Sequence, residues 1–194
     1  MTASTKTLEP AQTIVNGVNV SQLKDTIAAI EQDPSIARFQ FRAHHEWLDG
    51  THAVTRVKDF YGAKKEDESR AEPFELHHDE PPVILGDNRG VNPVEYAMSA
   101  LAGCVTTTFV VNAAARGINL KSVRVELDGE IDLRGLLNLD ENIRPGYEQI
   151  RMRYFIESDA PREQIEKLLQ YAKGQSPVHD VITNPVPVKV ELAD

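Results

Sequence analysis

Apolar residues recur along the chain with two periods, which predicts a mixture of helices and strands. The first helix is predicted over residues 22–31, because three apolar side chains share one face of that segment and Ser21 can cap it. Asp49-Gly50 predicts a hairpin turn, and residues 62–70 are predicted to form a charged loop. Strands are predicted where apolar and polar residues alternate, over residues 39–47, 51–60, 73–77, 122–128, 147–157 and 185–192.

The strongest local signal opens a long apolar segment at Asn92. Asn92 suits the N-cap of a helix, Pro93 its first position and Glu95 the acid of a capping box. Gly117 suits the left-handed residue just beyond the C-terminal end. The segment between them is apolar nearly all round, which is typical of a helix buried on most sides. Another helix is predicted over residues 161–174.

The order of these elements is helix, three strands, long helix, two strands, helix and strand. Because the strands come in runs, this order predicts an α+β fold and not a doubly wound α/β sheet. We assign residues 1–36 to an N-terminal tail with an extra helix, and residues 37–194 to the main domain.

Composition and charge narrow the possible partners. The chain has 194 residues, 30 of them acidic and 21 basic, with a formal net charge of −9. An acidic chain without a long basic run is a poor ligand for nucleic acid. No stretch approaches the roughly 20 apolar residues of a membrane span, and the N-terminus lacks the apolar core of a signal peptide. We therefore expect a cytoplasmic protein with no nucleic-acid or membrane partner.

Cys104 is the only cysteine of the chain. An intramolecular disulfide and a cysteine-cluster metal site are therefore excluded, and a reducing cytoplasm is the natural setting. A cysteine inside an apolar helix is by default a small core residue. A reactive thiol at this position would need a cation from another part of the fold to lower its pKa, since it is far from the helix N-terminus.

Other candidate chemistry is weaker. His45, His52 and His78 could gather around a metal if they shared one face of the hairpin, but the simpler interpretation is a set of partly exposed histidines. The acidic clusters lack the spacing of a calcium loop, and the chain has neither a phosphate-binding glycine loop nor a G-x-S-x-G elbow. We expect no bound metal and no cofactor.

Residues 86–104 (GDNRGVNPVEYAMSALAGC) resemble the OsmC/Ohr family of peroxiredoxin-like proteins. The likeness continues through residues 113–118, 123–135 and 176–178. It implies an intertwined homodimer with long central helices wrapped by antiparallel sheets. Characterised members of the family are oxidoreductases that respond to oxidative stress by reducing organic hydroperoxides with a pair of cysteines. An arginine and a glutamate near the first cysteine assist them.

The chain departs from this family pattern at two places. Cys104 matches the peroxidatic cysteine, but Ser176 occupies the place of the resolving cysteine. Val94 occupies the place of the glutamate, and Glu95 should point about 180° away from Cys104 because nine residues separate them along the helix. The arginine has no single match: Arg42, Arg56 and Arg89 remain alternatives.

Three functions remain open after this comparison. The first is a one-cysteine hydroperoxide reductase in which Cys104 reacts, Arg42 or Arg56 stabilises the thiolate, Ser176 lies beside it and an external thiol is the reductant. The second is a non-catalytic module that kept the fold and binds an apolar or acyl ligand. The third is acyl transfer through Cys104 with His179 as the base.

Overall fold

The structure is a computed structural model that describes residues 12–193. Its α-helices are α1 (Val20–Gln32), α2 (Pro93–Ala115), α3 (Leu133–Leu136), α4 (Arg162–Gly174) and α5 (Pro177–Thr183). Its strands are β1 (Ile14–Val15), β2 (Val18–Asn19), β3 (Gln40–Phe41), β4 (His44–Asp49), β5 (His52–Val57), β6 (Phe60–Gly62), β7 (Lys65–Asp67), β8 (Phe74–His78), β9 (Leu120–Gly129) and β10 (Ile150–Ser158). Two short 3-10 helices cover Pro34–Ala37 and Pro82–Ile84.

The strands form four small antiparallel sheets, so the predicted α+β class is confirmed. In the order of their hydrogen bonding these are β1-β2, β3-β6-β7, β4-β5-β8 and β10-β9. The long β9–β10 pair runs in register from Gly129 opposite Ile150 to Val123 opposite Ile156. This pair and its alternating burial match the sequence pattern closely.

Helix α2 begins and ends where its capping residues predict. The Asn92 side chain accepts from the Val94 amide at 2.9 Å, and the Glu95 carboxylate accepts from the Asn92 amide at 3.1 Å. This is the predicted capping box. Gly117 follows the helix with φ +70°, a conformation that glycine adopts without strain.

The hydrophobic core lies between the second half of α2, helix α4 and the β9–β10 sheet. Phe109 is fully buried at its centre, and the other buried members are Ala113, Ile118, Ile165, Leu168 and Ala172. The β3–β8 region does not share this core. Within residues 12–193 its sheets make no extensive contact with α2, α4 or the β9–β10 pair.

Much apolar surface is therefore exposed. Trp47 on β4 is 69% exposed, and Phe41 on β3 and Phe74 on β8 are similarly open. Helix α2 is long and apolar enough to cross a membrane by length and composition, which corrects the expectation that no segment reaches that standard. The core helix of a soluble protein passes the same test. Helix α2 packs against α4 and β9, but only 28% of its apolar window is buried within one chain, so the predicted burial on most sides is not reached there.

Several local predictions are wrong. Asn19 caps α1, because its side chain accepts from the Gln22 amide, whereas the Ser21 hydroxyl accepts from Thr13. The predicted strand over 39–47 divides into β3 and β4, which join different sheets. The charged loop over 62–70 contains β7, because Ala63 and Lys64 adopt positive φ and turn the chain back into a hairpin.

The alternating segment 185–192 is not a strand. Its valines are exposed, and the described residues offer it no hydrogen-bonding neighbour, without which alternation alone does not make a strand.

The N-terminal hairpin packs on the main body. The Asn16 side-chain amide donates to the Ile118 carbonyl and its oxygen accepts from the Leu120 amide, both at 2.9 Å. These two bonds tie β1–β2 to the junction between α2 and β9. The boundary between residues 36 and 37 stays a prediction, and residues 1–11, most of the predicted tail, lie outside the described part of the chain.

Candidate functional site

Cys104 lies in the middle of α2 and is partly exposed. The Thr108 hydroxyl donates to the Cys104 carbonyl at 2.9 Å, a bond within the helix that leaves the thiol free. Ala97 lies seven residues earlier, so the two side chains project from nearly the same side of the helix. The adjacent Gly103 faces open space. The thiol therefore has access to the surroundings of α2.

A cavity of about 620 Å³ opens on the side of α2 that carries Ala97. Its apolar wall comes from Ala97 and Leu101 of α2, Ile150 and Met152 of β10, and Ile182 of α5. Its polar wall comes from the loop before β10 and from the ends of α4 and α5, and comprises Arg144, Tyr147, Glu148, Gln149, Lys173, His179 and Thr183. Apolar walls with a few convergent polar groups are typical of small-molecule sites.

Tyr147 fixes the loop of this cavity against the start of α2. Its hydroxyl donates to the Val94 carbonyl at 3.0 Å. Burial, and then the nearby Glu95 charge, raise the pKa of Tyr147, so it stays a neutral donor. Val94 thus contributes its backbone oxygen here, while Glu95 serves the capping box as predicted. Glu95 is the acidic residue in the first turn of α2, and its hydrogen bond in the capping box does not direct it at Cys104.

Ser176 is fully buried at the N-cap of α5. Its hydroxyl accepts from the His179 amide at 3.3 Å, so it stabilises the short helix that carries His179. Helix α5 packs against both α2 and α4. The sequence did not predict α5, but Ser176 and Pro177 are the cap and first-position signals that could have found it.

Arg42 and Arg56 lie away from this cavity. Arg42 pairs with Glu66, and Arg56 pairs with Glu75 at 2.8 Å and with Glu46 at 2.9 Å. The hydrogen bonds to Glu75 and then Glu46 raise the pKa of Arg56. The two arginines line a separate cavity of about 420 Å³ on the β3–β8 region. Within one chain, the described contacts do not bring either arginine to Cys104.

Arg89, the third alternative, is held by a buried carboxylate. Asp79 has a fully buried side chain that accepts from the Thr51 hydroxyl at 2.5 Å and the Arg89 amide at 2.9 Å. The Thr51 bond, followed by the backbone bonds, holds the pKa of Asp79 well below its ordinary value. Arg89 also pairs with Asp49 at 2.7 Å. This network holds the loop that precedes α2 in place, and it occupies the Arg89 side chain with structural ion pairs.

The histidines do not form the three-residue group that one shared face would have allowed. His45 and His78 share one face and both contact the Thr55 hydroxyl at 2.8 Å. His52 lies on the opposite face, where its Nε2 is 3.0 Å from Nδ1 of His77. The hairpin places His45 opposite Thr55, and this register separates His45 from His52. Among residues 12–193 no three candidate ligands converge on a metal position.

Sequence reasoning missed Arg144, Lys173 and Tyr147. They stand on three elements that are distant in sequence, and no motif joins them. His179 was considered as a base, and the structure places it in the cavity wall beside the α2 face of Ala97.

Comparisons with known proteins agree with this architecture. Solved structures with the same fold include an OsmC-like protein from Mycoplasma pneumoniae, at 14% identity and a TM-score of 0.56, with 75% of this chain and 89% of that chain covered. An OsmC-like protein from Vibrio cholerae gives 14% identity and a TM-score of 0.53, covering 73% and 92%. An organic hydroperoxide resistance protein OsmC from Legionella pneumophila gives 15% identity and a TM-score of 0.52, covering 77% and 94%.

At these identities the structural likeness shows the fold alone. No curated protein matches the chain in sequence. The sequence model of the OsmC-like protein family, however, matches residues 86–191, more than half of the chain. This range contains the capped helix α2, Cys104, the cavity wall of β10 and the Ser176 cap. With both sequence model and fold in agreement, the chain belongs to the OsmC-like family.

Proposed function

We propose that this protein is a cytoplasmic reductase of organic hydroperoxides, with Cys104 as its single peroxidatic thiol. The observation that carries the proposal is a partly exposed cysteine at the family position, on the same face of α2 as Ala97, although Cys104 itself is not among the residues that line the cavity. The Legionella neighbour is described as an organic hydroperoxide resistance protein, which supports this substrate class.

The reaction needs one thiol from the chain and two from outside. The Cys104 thiolate attacks one peroxide oxygen, so an S–O bond forms as the O–O bond breaks. The leaving alkoxide takes a proton and departs as an alcohol, and Cys104 becomes a sulfenic acid. One external thiol then forms a mixed disulfide and releases water, and a second restores Cys104 and leaves as a disulfide. Ser176 cannot replace either of them.

The active form is proposed to be a homodimer. Most of α2 is apolar, yet its outward residues Ser99, Ala100, Gly103 and Thr107 are exposed and small enough for another helix to approach closely. The β3–β8 region leaves Trp47 open and shares no core with α2. A second copy of the chain would cover both surfaces and supply the missing packing.

The dimer would also supply the cation that a reactive thiol at Cys104 needs to lower its pKa. Since Arg42 and Arg56 lie away from Cys104 in one chain, we propose that one of them approaches the thiol of the other copy. Either arginine would have to exchange its exposed ion pair for the thiolate. Such exposed pairs contribute only about 0–1 kcal/mol, so the exchange is inexpensive.

The test follows the loss of cumene hydroperoxide with dithiothreitol as the reductant. We expect the wild type to consume peroxide faster than free cysteine at the same thiol concentration, with a sulfenic-acid trap labelling Cys104. Cys104→Ser should abolish both signals, while the control Thr26→Ser on helix α1 keeps them. Equal rates for the wild type and Cys104→Ser would refute the proposal. Light scattering should give about 43 kDa, twice the 21.6 kDa of one chain.

Whether Ser176 lies close to Cys104 can be tested by replacing Ser176 with a cysteine. If Ser176 lies beside Cys104, Ser176→Cys should form an intramolecular disulfide after one equivalent of peroxide, seen as a mass loss of about 2 Da. The variant with both Cys104→Ser and Ser176→Cys is the control. A sulfenic acid at Cys104 together with a free thiol at position 176 after complete peroxide loss would show that the two residues are too far apart.

A non-catalytic ligand-binding module is the second candidate function. It is favoured by one observation: both candidate arginines and Ser176 are engaged in structural contacts, while a 620 Å³ cavity stands open. Under this alternative Cys104 would react no faster than free cysteine, and an apolar or acyl compound would co-purify and be found by native mass spectrometry.

A further inference from the structure

The cavity beside α2 carries positive charge in a protein that is strongly negative. Arg144 and Lys173 both line it, while the chain as a whole has a net charge of −9. Glu148 is the one carboxylate among its lining residues. His179 adds an imidazole to the same wall. The local balance is thus opposite to that of the whole molecule.

Neither of these two cations has a carboxylate partner, which is also true of other described basic residues such as Lys58, Arg116 and Lys121. Nearby basic residues of β10 and α4 are paired, Arg151 with Asp128 and Glu130, and Lys167 with Glu163. Within residues 12–193, Arg144 and Lys173 make no ion pair at all, although the chain holds 30 acidic residues. Their charges are therefore available to an anion that enters the cavity.

The apolar wall of the same cavity has different chemistry. Leu101, Ile150 and Met152 contribute apolar side chains to it. The volume of about 620 Å³ lies in the range of about 300–1,000 Å³ that accommodates small-molecule ligands. A ligand that fits both walls needs an anionic head and an aliphatic chain.

We propose that this cavity binds an aliphatic carboxylate, with its head on Arg144 and Lys173 and its chain along Leu101, Ile150 and Met152. Arg144 suits a carboxylate because its planar guanidinium donates two parallel hydrogen bonds. The tyrosine bond to the Val94 carbonyl keeps the loop that carries Arg144 near α2. The binding of a carboxylate in this cavity is independent of the proposed function. The further step, that the bound carboxylate is the hydroperoxide substrate, rests on the proposed function.

The experiment compares decanoate with decanol by isothermal titration calorimetry on the full chain. Decanoate should bind more tightly, and its affinity should fall as salt rises, because the head is held by charge. The double variant of Arg144→Gln and Lys173→Gln should bind decanoate at least about 10-fold more weakly, since a hydrogen bond to a charged group contributes at least one tenfold step. Decanol binding should not change.

Two controls keep the result specific. Arg153→Gln removes a cation of β10 that pairs with Glu126 and Asp128 outside the cavity, and it should leave decanoate affinity unchanged. Met152→Glu should weaken both ligands, and circular dichroism should show that it remains folded. Equal affinity for decanoate and decanol, or an unchanged affinity in the double variant, would overturn the proposal.

Cys104→Ser separates this proposal from the proposed reductase function. If it binds decanoate like the wild type and the wild type shows no peroxide turnover, the carboxylate site stands and the reductase function fails. If the wild type reduces peroxide but does not distinguish decanoate from decanol, the reductase function stands and the carboxylate site fails.

Discussion

Phe109 is the residue whose truncation should cost this fold the most. It is fully buried at the centre of the core, between α2, α4 and the β9–β10 sheet. Phe109→Ala removes the ring and leaves a cavity between elements that restrain one another. Core Phe→Ala changes destabilise by about 3–5 kcal/mol, and the restrained surroundings argue for about 4 kcal/mol here. Phe109→Leu should cost less, about 1.5 kcal/mol.

The assay is equilibrium unfolding in urea at constant protein concentration, because association would make the midpoint depend on concentration. With a slope of about 2 kcal/mol/M, a loss of 4 kcal/mol lowers the midpoint by about 2 M. Leu139→Ala is the matched control, since Leu139 is 71% exposed and its truncation should change stability by less than about 0.5 kcal/mol.

The outcome also bears on the site. Phe109 anchors α2 against α4, whose end leads directly to Ser176, so loosening this contact should slow peroxide turnover as well as weaken the fold. A loss below about 1 kcal/mol for Phe109→Ala, at an unchanged slope, would show that the core does not centre on this ring.

Two further predictions concern the approach to α2. Asn92→Ala should lower stability by about 1 kcal/mol, because the Val94 amide loses its cap, and thermal unfolding against Asn92→Ser as a conservative control measures this. Asp79→Asn should destabilise at neutral pH, because the hydrogen bonds from Thr51 and Arg89 favour the charged carboxylate. The pKa of Asp79 is lowered in the folded state, so its contribution is present above the ordinary value of 3.8 and is lost as pH falls below it. The difference in urea midpoint between the wild type and Asp79→Asn should therefore shrink from pH 6 to pH 3, and a constant difference would contradict this assignment.

Local chemistry explains which parts of the fold were predictable. The ends of α2 follow from Asn92, Glu95 and Gly117, because a cap is satisfied by atoms within three or four residues along the chain. The β9–β10 pair follows from alternation, since a strand with one buried face must repeat every two residues. The position of Cys104 in the family segment was likewise readable in the sequence.

Contacts between distant segments decided the rest. His45 and His52 separate because a hairpin register, with an irregularity between Trp47 and Asp49, assigns side chains to faces. The segment 185–192 alternates like a strand, yet alternation cannot supply the neighbouring strand whose hydrogen bonds it needs.

The cavity is the clearest case of this division. Its apolar positions belong to elements that the sequence predicted, such as Leu101 on α2 and Met152 on β10. Its cations, Arg144 and Lys173, lie in a loop and at a helix end that no sequence pattern links. By itself the sequence determined the helix that carries Cys104 and the class of the fold, because both depend on local periodicity and capping. Only the tertiary structure decided which charges stand beside that helix, because packing alone brings residues so far apart in sequence to one wall.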